Sequence, residues 1–242
     1  MPQQQRMLSV PAMNTTWPLR LGACAAVTGA AAQLIATILE PDWGGDTDQA
    51  VRVVADSGFW NTDRLIDLIG AFLTVVALTI VQRTLAGAGK VWASVGQPFL
   101  VLMAALGASA IATGAAMKEI ADTWVDADGG GKVSYLATFH GLVATTEVLF
   151  FGAFLALGLY LVALAAAIIA EAVFPHWIGW IAALSAVLML SGNLLSIRFD
   201  AAWFAVLVGF ALFLLALVAL GVSMWRRAAV AELDVVRADV RQ

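Results

Sequence analysis

The sequence predicts an all-α fold, a polytopic membrane bundle of six transmembrane helices, and three observations lead to it. Of 242 residues, 62% are hydrophobic and only 12% are charged, against roughly 25% charged in an average soluble domain. Six apolar runs, 19–39, 65–81, 91–117, 135–170, 177–197 and 201–225, reach or approach the about twenty residues that cross hydrocarbon as a helix. The segments outside this 18–225 membrane domain, 1–17 and 226–242, are polar or mixed. Without water to satisfy the backbone inside hydrocarbon, a chain of this composition crosses as helices.

Lysine and arginine are retained on the cytoplasmic side of a membrane. With both termini inside, eight basic residues (Arg6, Arg20, Arg83, Lys90, Arg226, Arg227, Arg237 and Arg241) fall in cytoplasmic segments and five (Arg52, Arg64, Lys118, Lys132 and Arg198) in outer ones. The expectation is a multi-pass protein of the cytoplasmic membrane with both termini cytoplasmic. Acidic residues gather on the outer side, from Glu40 to Asp63 and from Glu119 to Asp128. A net charge of -4 with scattered basic residues argues against nucleic acid, which needs a concentrated basic patch. Membrane lipids, and a membrane protein partner or a second copy, are the partners expected.

In chain order, residues 1–17 hold Pro2 and Pro11 and read as a disordered or interfacial tail. The first span has Gly22, Ala26 and Ala30, and again Ala25 and Gly29, at the four-residue spacing that lets helix backbones approach. Leu21-Gly22-Ala23-Cys24 has the order of a lipoprotein cleavage box, but Pro18 and Arg20 interrupt the apolar stretch that should precede it, so the span is read as uncleaved. Cys24 is the sole cysteine and makes no internal disulfide. Pro41 ends the helix. Asp46 to Ser57 reads as a short surface helix with Val51, Val54 and Ala55 on one side. Asn61 or Thr62 is the expected N-cap of the second span, which carries Asp67.

The loop after the third span contains Asp126-Ala127-Asp128-Gly129-Gly130-Gly131-Lys132. It lacks the third acidic position and the closing Glu of a calcium loop, so a flexible acidic turn is expected. The fourth run is too long for a perpendicular crossing, so it is expected to tilt, to bend or to project on the cytoplasmic side, where Glu171 and Pro175 end it. Trp43, Trp60, Trp124 and Tyr135 suggest an outer aromatic belt, and Trp92, Trp177, Trp180 and Trp225 an inner one. Residues 226–242 alternate charged and apolar types, as a short amphipathic helix does. Gly70-Ala71-Phe72-Leu73 and Gly152-Ala153-Phe154-Leu155 repeat in the second and fourth spans, a faint sign of a duplicated two-helix unit.

The turn Val173-Phe174-Pro175-His176-Trp177-Ile178-Gly179-Trp180, leading into an Ala, Leu and Gly-rich helix, and Asp67-Leu68-Ile69-Gly70-Ala71-Phe72-Leu73 earlier in the chain, resemble a group of uncharacterised six-span bacterial membrane proteins. The resemblance implies a six-helix fold in a bacterial cytoplasmic membrane and no reaction.

No catalytic, metal or nucleotide motif is complete. Ser109 in Gly107-Ala108-Ser109-Ala110 is superficially like an intramembrane protease serine, with His140 as its base, but the Gly that should follow is missing; a helix-packing serine is the preferred reading. His140 and His176 fall at opposite membrane edges and cannot share a haem iron; His/Met pairing with Met103 or Met189 stays open. No cofactor is expected. Glu147 and His140, seven residues apart and so within about 20° of one helix face, are the expected centre of a site. A charge at bilayer depth costs roughly 2.5–3.5 kcal/mol and is normally turned inward and paired. Asp67, His140 and Glu147 are therefore expected to form an outward-opening ligand pocket with Asp63, Arg64, Lys118 and Glu119 at its mouth. Gln33 and Asn193 are read as interhelical hydrogen-bonding residues. The function expected is binding or transport of a small molecule, lipid or proton-coupled solute; an accessory subunit of a membrane complex is the alternative.

Overall fold

The computed structural model describes residues 16–41 and 46–240, and these are helical almost throughout. The elements are α1 (Thr16–Leu39), α2 (Thr47–Asp56), α3 (Trp60–Thr84), α4 (Gly87–Asp126), α5 (Gly129–Ala170), α6 (His176–Ser196) and, after a 3-10 turn at Asp200–Ala202, α7 (Trp203–Val240). All but α2 are long and apolar enough to cross a membrane, so the chain is an all-α multi-pass membrane bundle. Six crossings leave the start of α1 and the end of α7 on one side, where Arg20 pairs with Glu232 at 2.5 Å. This is the terminal side; the opposite one is the hairpin side. Trp43 and the tail before residue 16 lie outside the described residues.

The spanning helices form a closed ring: α1 packs on α3, α3 on α4, α4 on α5, α5 on α6, α6 on α7, and α7 returns to α1. Its main core lies in the terminal-side half, where Leu157, Tyr160, Leu161, Leu164 and Ile168 of α5 meet Leu78, Leu100, Ile178, Met189 and Leu217. The small-residue faces are spent inside this ring. A Cβ at Gly29 would lie 3.1 Å from the carbonyl of Gly70, and one at Gly22 would lie 2.8 Å from Ile80. On the terminal side Trp92, Trp177, Trp180 and Trp225 are exposed, as a belt requires. Trp60 and Trp124 are buried instead, so the hairpin-side belt does not form from them.

Helix lengths are unequal, and that sets the shape. Gly158 of α5 packs on Leu190 of α6, which puts the last residue of α6 level with roughly Gly152. Trp60, which opens α3, bonds to the carbonyl of Gly114 on α4. The α4–α5 pair therefore stands about twelve residues, roughly 18 Å, beyond α3, and about twenty-three residues, roughly 35 Å, beyond α6. The excess length of the fourth run projects on the hairpin side, opposite to the expectation, because both helices of the pair extend there together.

A short turn at Ala127 and Asp128 joins them, with Gly129 in the left-handed region at φ 44°. The flexible acidic turn is thus replaced by a tight one, and Asp126 to Lys132 form no cation loop. The second span starts at Trp60, with Phe59 and not Asn61 or Thr62 as N-cap, and the amphipathic tail is a continuation of α7.

The projecting pair needs cover for its apolar side, and α2 supplies it. Val51 and Val54, three apart on one face, pack with Trp60, Met117, Ala121, Trp124 and Phe139 into a second, smaller core. Asp46 caps α2 by accepting from the Gln49 amide at 2.8 Å. Lys118 of α4 donates to the Ala55 carbonyl at 2.6 Å and pairs with Asp122 at 2.6 Å, placing a cation at the negative end of the helix. On the terminal side Glu171 accepts from the amides of Ala86 at 2.9 Å and Gly89 at 3.2 Å, so the end of α5 caps the start of α4.

Gly209 shows how tight the ring is. A Cβ there would sit 3.0 Å from the Met189 amide nitrogen and 2.6 Å from its Cγ, while Ser185 donates to the Gly209 carbonyl at 2.6 Å. Gly209→Ala should push α7 off α6 and cost about 1–3 kcal/mol. Gly141→Ala, where an added Cβ meets nothing within 4 Å, should be neutral or stabilising. Thermal unfolding of both variants in the same detergent checks the contrast.

Candidate functional site

The residues that converge lie at the hairpin-side ends of α1, α3 and α4. Pro41 ends α1 just past Glu40, and α2 returns the chain so that α3 begins antiparallel beside it. This brings Arg64, one turn into α3, level with Glu40. Arg64 is 5% exposed, and its guanidinium is ion-paired with Glu40. It also lies 4.4 Å from the centroid of the Trp60 ring, a cation–π contact, and Trp60 Nε1 donates to the Gly114 carbonyl at 2.7 Å. Gly114 makes the room: a Cβ there would come 3.4 Å from Arg64 Nε. One arginine thus ties α1, α3 and α4 together.

Asp63 and Asp67 occupy the side of α3 that faces α1. Asp63 is 2% exposed and its Oδ1 has no hydrogen-bond partner; the same is true of Arg64 Nε. Asp67 is half-buried, attracted by Arg64 and repelled by Glu40 and Asp63. Further into the bundle on the same seam, Thr74 donates to Gln33 Oε1 at 3.4 Å.

Between α3 and α4 runs an open groove of about 750 Å³, with Arg64, Leu65, Leu68, Ile111, Lys118 and Glu119 among its walls. Asn61 and Thr123 mark its hairpin-side end. Each wall is polar above and apolar below: descending α3, Asn61 and Arg64 give way to Leu65 and Leu68; descending α4, Asp122, Glu119 and Lys118 give way to Ala115, Ala112 and Ile111.

Of the residues expected to form one pocket, the structure brings Asp63, Arg64 and Asp67 together, and sets Lys118 and Glu119 across the groove from Arg64. It does not bring in His140 or Glu147. Both are exposed on α5, and α5 is separated from α3 by α4 in the ring. The expectation of a buried, paired Glu147 fails for a geometric reason. Leu106 packs on Gly152, so Glu147 is level with about position 111 of α4, near the ends of the neighbouring helices and not at mid-depth.

His140 stands higher still on the projecting pair, and His176 is at the terminal side. Ser109 is exposed and bonds its own helix at Ala105. Asn193 is fully buried with neither amide atom bonded, so it is not the interhelical hydrogen-bonding residue expected. Among the described residues no three His, Cys, Asp or Glu side chains are placed to share a metal ion. Glu40, Trp60 and Gly114 were absent from the expected site; their only sequence signal is that antiparallel α1 and α3 are joined by a short connection, which puts Glu40 and Arg64 at equal depth.

Compared with protein-family models, with curated proteins and with solved structures, the chain matches none.

Removing one partner of a buried ion pair costs about 3–5 kcal/mol. Because Glu40 keeps 35% of its side chain exposed, Arg64→Met should fall at the low end of that range. Arg64→Lys should recover only part of the loss, since an ammonium lacks the planar stack on Trp60. Melting curves of the three proteins in one detergent check the order.

Proposed function

We propose that the chain is a membrane-embedded binding protein whose α3–α4 groove takes an amphiphile from the hairpin-side leaflet, as the first step of carrying or sensing it. The observation that carries this reading is that both walls are polar towards the hairpin side and apolar further into the bundle. A headgroup at Asn61, Lys118 and Glu119 and an acyl chain along Leu65, Leu68 and Ile111 match it. The groove's volume lies within the about 300–1,000 Å³ typical of small-molecule sites. In this reading the protein sits in a bacterial cytoplasmic membrane with both termini cytoplasmic, following the basic bias, and the groove opens outward.

Binding of a fluorescent lysophospholipid to the purified protein in nanodiscs tests it. Ala115→Trp, which fills the groove, should weaken binding at least tenfold, while Val187→Trp on the exposed face of α6 should leave it unchanged. Equal binding by both variants would remove the groove from the function. For orientation, Gly130→Cys at the hairpin tip, in a Cys24→Ser background, should label with an impermeant maleimide in intact cells; labelling only after lysis would invert the topology.

The accessory-subunit reading has its own observation. The projecting part of α5 exposes Val133, Ala137, His140, Gly141, Ala144, Glu147 and Val148 on one side, beyond the ends of α6 and α7. A partner seated there would appear as co-purification that Ala144→Arg abolishes.

A further inference from the structure

The α1–α3 seam carries charge that the groove leaves unused. Among the described residues, Glu40, Asp63 and Asp67 meet one guanidinium, Arg64, which is ion-paired with Glu40. Across the groove on α4 stand Lys118 and Glu119, and Lys118 is held by Asp122 and the Ala55 carbonyl. Three carboxylates against one guanidinium leave an excess of two negative charges. The excess is not dissipated in water at Asp63, which is 2% exposed and has a buried Oδ1 with no hydrogen-bond partner. Burying a carboxylate without a partner is strongly unfavourable, so an occupant that brings positive charge is the state that balances the site.

The surroundings limit what the occupant can be. Among the described residues no three His, Cys, Asp or Glu side chains are placed to share a metal ion, so these carboxylates are not a ligand set for a metal cation and the occupant that fits them is a proton. Access is one-sided. Below Asp67 the seam stays polar only as far as the Thr74–Gln33 contact, and beyond it Ala25, Ala26, Ala77 and Leu78 are buried and close it.

We propose that Asp63 and Asp67, beside the Glu40–Arg64 ion pair, form a site that takes up one proton entering from the hairpin side. Arg64 borders both this site and the groove, and so joins the two. The proposal concerns occupancy of the seam and does not require that the groove bind an amphiphile.

The test is the melting temperature of the purified protein in zwitterionic nanodiscs, read by intrinsic tryptophan fluorescence. In one arm sodium replaces choline at pH 8 and constant ionic strength; in the other pH falls from 8 to 5 in choline. Proton uptake should raise Tm by roughly 3–5 °C at saturation in the acidification arm and leave it flat in the sodium arm. A rise with sodium and none on acidification would make the occupant a metal cation and overturn the proposal. Asp67→Asn, on a half-buried side chain that tolerates replacement, and Asp63→Asn should each remove that rise. If the parent is flat on acidification, or if Asp67→Asn follows the parent's rise unchanged, the seam is not a proton site. Lysophospholipid binding, measured on the same samples, reports separately on the groove.

Discussion

Hydrocarbon is about 30 Å thick and takes about twenty residues of helix, yet α4 has 40 residues and α5 has 42. Most of the architecture follows from that mismatch. The surplus has to leave the membrane on one side, and since the two helices are packed along their lengths it leaves as a pair. The emerging pair carries apolar residues, Met117, Ala121, Trp124 and Phe139, which would be exposed without α2. The segment between α1 and α3 is therefore a cover and not a simple connection. Lys118 serves this arrangement: its bond to the end of α2 fixes the cover against the pair.

Arg64 stands where the membrane bundle and the projecting part meet. Its charge is satisfied from α1, its flat face by Trp60, and its room comes from Gly114. Each contact is ordinary, but together they give the α1–α3 and α3–α4 seams a common element. The groove and the acidic seam lie on opposite sides of the same side chain. Any change in the charge around Glu40 and Asp63 acts on the guanidinium that also forms part of the groove wall.

The number and approximate places of the spans were legible because hydropathy and length report burial in lipid directly. The amphipathic α2 was legible as well, through Val51 and Val54 spaced for one face and Asp46 as a cap. What could not be read was which helices are neighbours. Asp67 and Glu147 sit at comparable depth, and sequence depth alone allowed them to meet; the ring order, with α4 between α3 and α5, keeps them apart. The same gap explains Glu147. Its cost was reasoned from a mid-membrane position, whereas the paired extension of α4 and α5 lifts it to the membrane edge, where an exposed carboxylate is tolerated. That Asp63, Arg64, Lys118 and Glu119 lie near one another was legible because charged residues close to a span end are few. Glu40 escaped notice because it looked like part of an acidic loop.

The two-residue turn at Ala127 and Asp128 and the cap that Glu171 places on Ala86 and Gly89 sit at the two ends of the same pair of helices. Neither helix is interrupted by a loop along the roughly 60 Å between them. A load applied at the tip is therefore not absorbed by a flexible segment on the way. It travels along two continuous helices, with Pro98 of α4 as the one place where a hinge is built in, and at the terminal side it bears on the two amide contacts of a single carboxylate.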